Sequence, residues 1–437
     1  MSDPPDTAIA GARVRYRFPL LLTGQTVSAF GDAFAVVAMP LLVLRLTGSA
    51  AQMGLVIGTS LVAQLIAGPF TGTLVDRLDR RRVMIACDWV QGILGAALPV
   101  AWWVLHPGPG TGLVLIYLVV VLSSVAGTCY RVAYRAVLPE LVGRAALMTA
   151  NARLATATEI AYGLGPAAAG IVVAAAGETV AIGINALSFA VSAVALHLLR
   201  TPGPAGPAEA RGTGPRDRWA GLRFLWRHPL LRALSVTELC NSLLAAGVTT
   251  LFIYYLRHEL GGTSVEVGVV LSLTSIGAVA AAFGAGPARR RFGFGRAWLG
   301  GVALSGLALL GAGCTGDLRL VAVLAVLFAA GNVGTIILST SVRQELTPDR
   351  LLGRVTAAVT TAVLAVEALG SVTASSLADR NSAAVTFVVL GAAHVPLVIA
   401  GLWTPLGAGR EHQPVPGSEP PGTVPALGEP PATAVRS

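Results

Sequence analysis

The sequence predicts an all-α polytopic membrane protein, with twelve transmembrane helices in two six-helix halves and both termini in the cytoplasm. Three observations carry that prediction. The 437-residue chain is 54% hydrophobic and only 12% charged, with a mean hydropathy of +0.71, whereas a soluble domain carries roughly 25% charged residues. Apolar stretches of about 20 residues recur along it, each long enough to cross a ~30 Å hydrocarbon layer. Its basic residues, all 31 of them Arg, gather in the short breaks between those stretches. A net charge of +9 would point a soluble protein toward nucleic acid. Membrane topology accounts for it here, and no nucleic-acid partner is expected.

The spans follow in order at 18–44, 50–75, 83–105, 112–134, 149–175 and 179–199, then 230–256, 264–287, 294–315, 319–341, 355–378 and 383–403. The first is too long for a signal-peptide core and lacks a small-residue cleavage site after it, so it reads as a retained span. Pro69, Pro99, Pro166 and Pro287 are compatible with membrane helices, which tolerate proline. With a cytoplasmic N-terminus, Arg13, Arg15, Arg17 and the clusters at 77–82, 131–153, 200–232, 289–296 and 343–354 all lie inside. Only Arg45, Arg257, Arg319 and Arg380 fall outside, as the positive-inside rule requires. The bacterial cytoplasmic membrane is the expected location, and a monomer the expected state.

Between spans six and seven, TPGPAGPAEARGTGPRDR is a Pro/Gly-rich linker. In the following WAGLRFLWRHPLL, Trp219, Leu222 and Trp226 fit a membrane interface with Arg223 and Arg227 reaching phosphates; direct continuation into span seven is the alternative. The chain thus divides into an N-terminal half (1–200), a linker (201–229), a C-terminal half (230–404) and a proline-rich tail (405–437) expected to be disordered. The halves echo each other: LPELVGR at 138–144 follows span four and TPDRLLGR at 347–354 follows span ten. Glu159 and Glu367 then fall at similar depth in the fifth span of each half. Parallel halves of this kind are a transporter architecture.

One break is unusually dense in charge, GTLVDRLDRRRVM at 72–84. It resembles the signature of the major facilitator superfamily between helices two and three, G-x-x-x-D-R-x-G-R-R-[KR]. Gly72, Asp76, Arg77, Arg80, Arg81 and Arg82 match, and Asp79 replaces the second glycine. GQTVSAFGD (24–32), PLLVLRLTGSA (40–50) and NALSFAVSAVAL (185–196) further resemble the enterobactin-exporter-like, drug:proton antiporter-3 branch. The resemblance spans about residues 18–403. It implies alternating access and export of a drug-like or secreted small molecule driven by proton entry, with solute import on the same fold as the alternative. It also implies a latch, in which Asp76, with Arg77 and Arg80, meets the positive N-terminal end of helix eleven. That latch would hold in the outward-open state and break in the inward-open one. In span five, GPAAAG resembles the antiporter motif G-P-x-x-G-G through Gly165, Pro166 and Gly170. Small residues there allow close helix approach, and Pro166 bends the helix. Such exporters often carry a mid-helix-four Arg, whereas Arg131 and Arg135 read here as lying at the cytoplasmic end of span four.

Ionisable groups inside the membrane are expensive and therefore functional candidates. Asp32 shares a helical face with Gln25 and Ser28, which suits a proton or substrate site facing a central cavity. Glu238, with Asn241 and Ser242, occupies the equivalent span of the second half. Glu159 and Glu367 are cavity groups or ties between the halves. Asp88, five residues into span three, is expected to pair with the nearby arginines. Asn332, Thr335 and Ser339 form a neutral polar stripe on span ten, and Tyr130 and Tyr134 sit on span four. Such lining suits a bulky amphipathic substrate. No GxxxxGK[ST], HExxH or GxSxG occurs, and the four cysteines show no metal spacing. No enzymatic activity and no cofactor or metal is expected.

Overall fold

The computed structural model describes residues 5–199 and 219–407. Most of the linker and nearly all of the tail read from the sequence lie outside the described residues. The first half contains α1 (Pro5–Thr47), α2 (Ala50–Arg77) and α3 (Arg80–Leu105), then α4 (Pro109–Gly143), α5 (Ala146–Ala176) and α6 (Glu178–Leu198). A short helix, α7 (Ala220–Arg227), precedes α8 (Pro229–Glu259), α9 (Ser264–Phe292), α10 (Phe294–Gly313), α11 (Leu318–Leu346), α12 (Asp349–Arg380) and α13 (Ala383–Leu402). Among the described residues, twelve helices are long and apolar enough to cross a membrane. With an even number of spans, the first helix starts and the last ends on one face of the bundle, called the terminal face below.

Local chemistry sets the helix ends. The side chains of Ser49, Asp79, Asp317 and Ser382 accept backbone N–H bonds at the starts of α2, α3, α11 and α13. Thr263 and Glu266 form a reciprocal capping box at the start of α9. Gly143 separates α4 from α5 with φ +75°, a conformation that costs a glycine nothing. Asp79, the residue that departs from the family signature, accepts the Arg82 N–H at 2.9 Å and so begins α3.

One segment differs from the sequence reading, and another decides between its alternatives. Span four runs to Gly143 rather than ending near 134, because Val137, Leu138, Leu141 and Val142 are buried in a cluster with Phe18, Val75 and Met84. Apolar packing carries the helix past the end that hydropathy alone predicts. The 220–227 segment is a helix of its own, since Pro229 at the first position of α8 lacks the N–H that would continue it.

Within the first half α1 packs on α6 and on α4 and α5, and α3 on α6; within the second, α10 packs on α11 and α13, and α9 on α11. The polar stripe on span ten lies partly in this packing: Trp298 Nε1–H donates to Ser339 Oγ at 2.8 Å, and Thr335 is buried. Backbones approach closely where a side chain is absent. A Cβ at Gly391 would meet the Leu310 nitrogen at 2.6 Å and the Gly306 oxygen at 2.7 Å. Gly391→Leu should therefore destabilise the fold by about 1–3 kcal/mol through overpacking, seen as a lowered Tm in detergent. Gly300→Ala, where the glycine faces open space, should leave the Tm unchanged.

Candidate functional site

Between the halves lies a cavity of ≈ 400 Å³ bounded by α1, α2, α4 and α8. Its wall is apolar, from Met39, Val43, Val56, Ile57, Val120 and Ile253, apart from Asp32, Ser60, Thr249 and Thr250. Asp32 thus faces a cavity. Gln25 does not join it; its side-chain amide donates to the Tyr130 hydroxyl instead.

No ion pair joins Asp32 to a cation among the described residues; Arg131 of α4 is near enough to act on it through space. Arg131 also donates to Gln64 Oε1 at 2.8 Å and Thr128 Oγ1 at 3.1 Å. Because α4 ends at Gly143, Arg131 sits twelve residues, about 18 Å, inside the helix. The sequence reading ended the span near 134 and put this arginine at its cytoplasmic end; the helix itself continues past it to Gly143. Tyr162 of α5 lies within reach of Asp32, Arg131 and Glu159, so the acid of span five belongs to the same field.

The remaining acids go elsewhere. Asp88 is buried, lies beside Ser192 and within reach of Asp32, and keeps one oxygen without a hydrogen-bond partner among the described residues. The expected pairing of Asp88 with the arginine run is not formed; Arg80 and Arg81 are taken by other groups. Glu238 pairs with Arg343 of α11, both largely buried. Asn241, one turn on, is buried with its Oδ1 unpartnered among the described residues. Glu367 is half-buried on α12, on the face of Ser371, which touches α2. Sequence reasoning missed the Arg343 partner because it lay in a cluster that topology alone explained.

Two seams join the halves, both toward the face opposite the termini. At the first, Gly54 and Gly58 of α2 lie against Ser371, Ser375 and Val372 of α12, with Ser371 Oγ–H donating to the Gly54 carbonyl at 3.3 Å. At its outer end the Asp379 carboxylate accepts the Ala50 N–H at 2.8 Å, filling the positive N-terminal end of α2. Nothing in the sequence marked that residue. At the second seam, Gly170 of α5 lies against Ser264 and Gly268 of α9, and Gly268 against Pro166. The Ala167 N–H donates to Ser272 Oγ at 2.9 Å. Gly165 packs on Ala33 within its own half. The GPAAAG residues therefore line a contact between halves and the packing behind it.

The terminal face is open. Cβ positions at Gly68, Gly72 and Gly353 would meet nothing within 4 Å, and Phe70 is 70% exposed. Asp76 is exposed and makes no hydrogen bond or ion pair among the described residues. Arg80 pairs with Glu140, while Arg81 donates to the Leu196 and His197 carbonyls at 2.8 and 2.7 Å, closing the end of α6. Arg77 lines a groove between α2 and α4.

The model of the Major Facilitator Superfamily matches residues 21–251 and 234–435. The chain is 29% identical over 396 residues to the multidrug efflux pump Tap of Mycolicibacterium fortuitum, covering 88% of this chain and 93% of the relative. It is 23% identical over 257 residues to macrolide efflux protein A of Streptococcus pyogenes, covering 58% and 62%. Among solved structures, a bacterial homologue of the iron transporter ferroportin in an inward-facing state aligns with a TM-score of 0.72 at 18% identity, over 88% of this chain and 97% of that one. The nucleoside transporter NupG aligns with a TM-score of 0.70 at 14% identity, over 88% and 99%. At such identities the structural likeness is one of fold.

A side chain forced into the second seam should part it. In Gly268→Leu, spin labels at Glu178 and Gly261 should move apart relative to the parent, while the melting curve stays cooperative. An unchanged distance in folded protein would show that this seam does not hold the face closed.

Proposed function

The chain belongs to the Major Facilitator Superfamily, and on that premise we propose that it exports a small amphipathic organic molecule across the bacterial cytoplasmic membrane, driven by protons moving inward. It is a secondary transporter and not an enzyme. The observation that carries the export reading is Asp32 at the wall of a largely apolar cavity, with Arg131, outside the cavity lining, near enough to act on it through space. Apolar walls suit the body of a drug-like molecule, and few convergent polar groups orient it. A proton on Asp32 removes the charge that Arg131 faces and loosens the hold on a cationic or polar substrate group. The names of the efflux relatives support the outward direction, and the motifs at 24–32, 40–50 and 185–196 support the drug:proton antiporter-3 branch.

The arginine bias makes the terminal face cytoplasmic, so the open terminal face corresponds to an inward-open state. In the outward-open state the terminal face closes, and Asp76 reaches the N-terminal end of α12 while Asp379 leaves that of α2. Each state then holds one carboxylate at one helix N-terminus, a contact of about 0.3–1 kcal/mol. The exchange favours neither state strongly.

Two measurements test this reading. In everted vesicles an imposed pH gradient should accelerate uptake of members of a lipophilic drug panel, and Asp32→Asn should abolish the gradient dependence without loss of folded protein. Gradient-independent flux in the parent would point to uniport, and full pH-driven flux in the variant would remove Asp32 from its role. Separately, Asp76→Asn should shift the inward-open to outward-open ratio up and Asp379→Asn should shift it down, each by up to about fivefold. Spin-label distances across the terminal face report the ratio, and shifts of the same sign would refute the exchange.

A further inference from the structure

We propose that α7 is a binding surface for anionic phospholipid in the leaflet at the terminal face, and that it transmits the lipid's hold to the first turns of α12. At 100° per residue, Leu222, Trp226, Trp219, Arg223 and Arg227 follow one another round an arc of about 140°. All five are exposed, Trp219 at 69% and Trp226 at 53%. The opposite side of the helix is buried. A Cβ at Gly221 would meet the Arg354 and Val355 backbone of α12 within 2.9 Å, so only glycine fits there. Leu225 joins Leu231, Val355 and Val359 in one cluster.

Position selects the partner. Only His228 separates α7 from α8, and α8 enters the membrane, so the exposed arc lies within a turn of the bilayer surface. Trp and Leu are on one side of that arc and the two arginines on the other. Indole rings settle at the headgroup level, and arginine stems extend to phosphates. Neither Arg223 nor Arg227 makes a hydrogen bond or ion pair among the described residues. An acidic soluble protein would use the arginines and leave two tryptophans in water beside a membrane span. An anionic leaflet uses all five side chains.

The transmission follows from the packing. Gly221 and Leu225 are seated on the first three turns of α12, so a helix held at the surface holds α12 with it. The consequence for transport rests on the exchange proposed above, because these are the turns that Asp76 would meet; the lipid contact itself does not.

Hydrogen exchange tests both parts on the full-length protein in nanodiscs of phosphatidylcholine, with and without phosphatidylglycerol. Phosphatidylglycerol should slow amide exchange about tenfold at 219–228 and measurably at 349–359, and Arg223→Gln with Arg227→Gln should remove the difference. Exchange in α10 and α13 serves as the control for folding. Equal exchange at 219–228 in the two lipids, or slowing that the double variant retains, would overturn the lipid surface. Slowing at 219–228 without any at 349–359 would overturn the transmission. Slowing seen only in native membrane vesicles would assign the surface to a protein partner instead. The measurement uses no substrate and no gradient, so its outcome is independent of the export assays.

Discussion

The two seams between the halves of this protein lie where side chains nearly vanish, and that constraint governs the rest of the structure. Apolar side chains do not drive helices together in lipid, since lipid tails are equally apolar; packing and a few hydrogen bonds must do it. The glycines and serines of α2, α12, α5 and α9 meet that requirement on one face alone. Toward the other face α2 carries Phe70 and Leu74, both exposed and lining a groove with α4 of their own half. A seam of small residues closes the face opposite the termini, and the cavity lies at its level, lined on α2 by Met53, Val56, Ile57 and Ser60.

Seams of this kind are weak individually. The Ala50 N–H to Asp379 bond, the Ala167 N–H to Ser272 bond and the Ser371 contact each use a backbone group or small side chain at a boundary. None leaves a buried charge behind when it breaks. The strong pairings, Glu238 with Arg343 and Arg80 with Glu140, stay within one half. Stability is thus concentrated inside each half, while the contacts that would have to break for the halves to rock are inexpensive. A two-state equilibrium needs states within a few kcal/mol of each other to respond to a ligand.

Much of this was legible in the sequence. Apolar runs and arginine breaks located the spans, because a hydrocarbon layer imposes one length on every crossing. GPAAAG pointed to close helix approach because small residues have few other uses at that spacing. The reach of α4 past Arg131 was not legible, since its last turns are held by packing on residues far along the chain. Asp379 was illegible for a related reason: its partner is a backbone amide more than three hundred residues away, and a backbone amide has no sequence signature. Asp88 lies near an arginine run in the sequence, yet Arg80 is committed to Glu140 and Arg81 to the end of α6, pairings that the sequence does not announce.

The buried pair of Glu238 and Arg343 has a consequence for inheritance. Losing one member leaves an uncompensated charge in low dielectric, a defect of about 3–5 kcal/mol, whereas replacing both by apolar groups is often neutral. Lineages descending from this sequence can therefore keep both residues or lose both, and the single-loss intermediates are the ones selection removes. Positions 238 and 343 should drift as one character, so that a descendant lacking the acid would also lack the guanidinium. The two helices are then bound to each other in evolutionary time as well as in space.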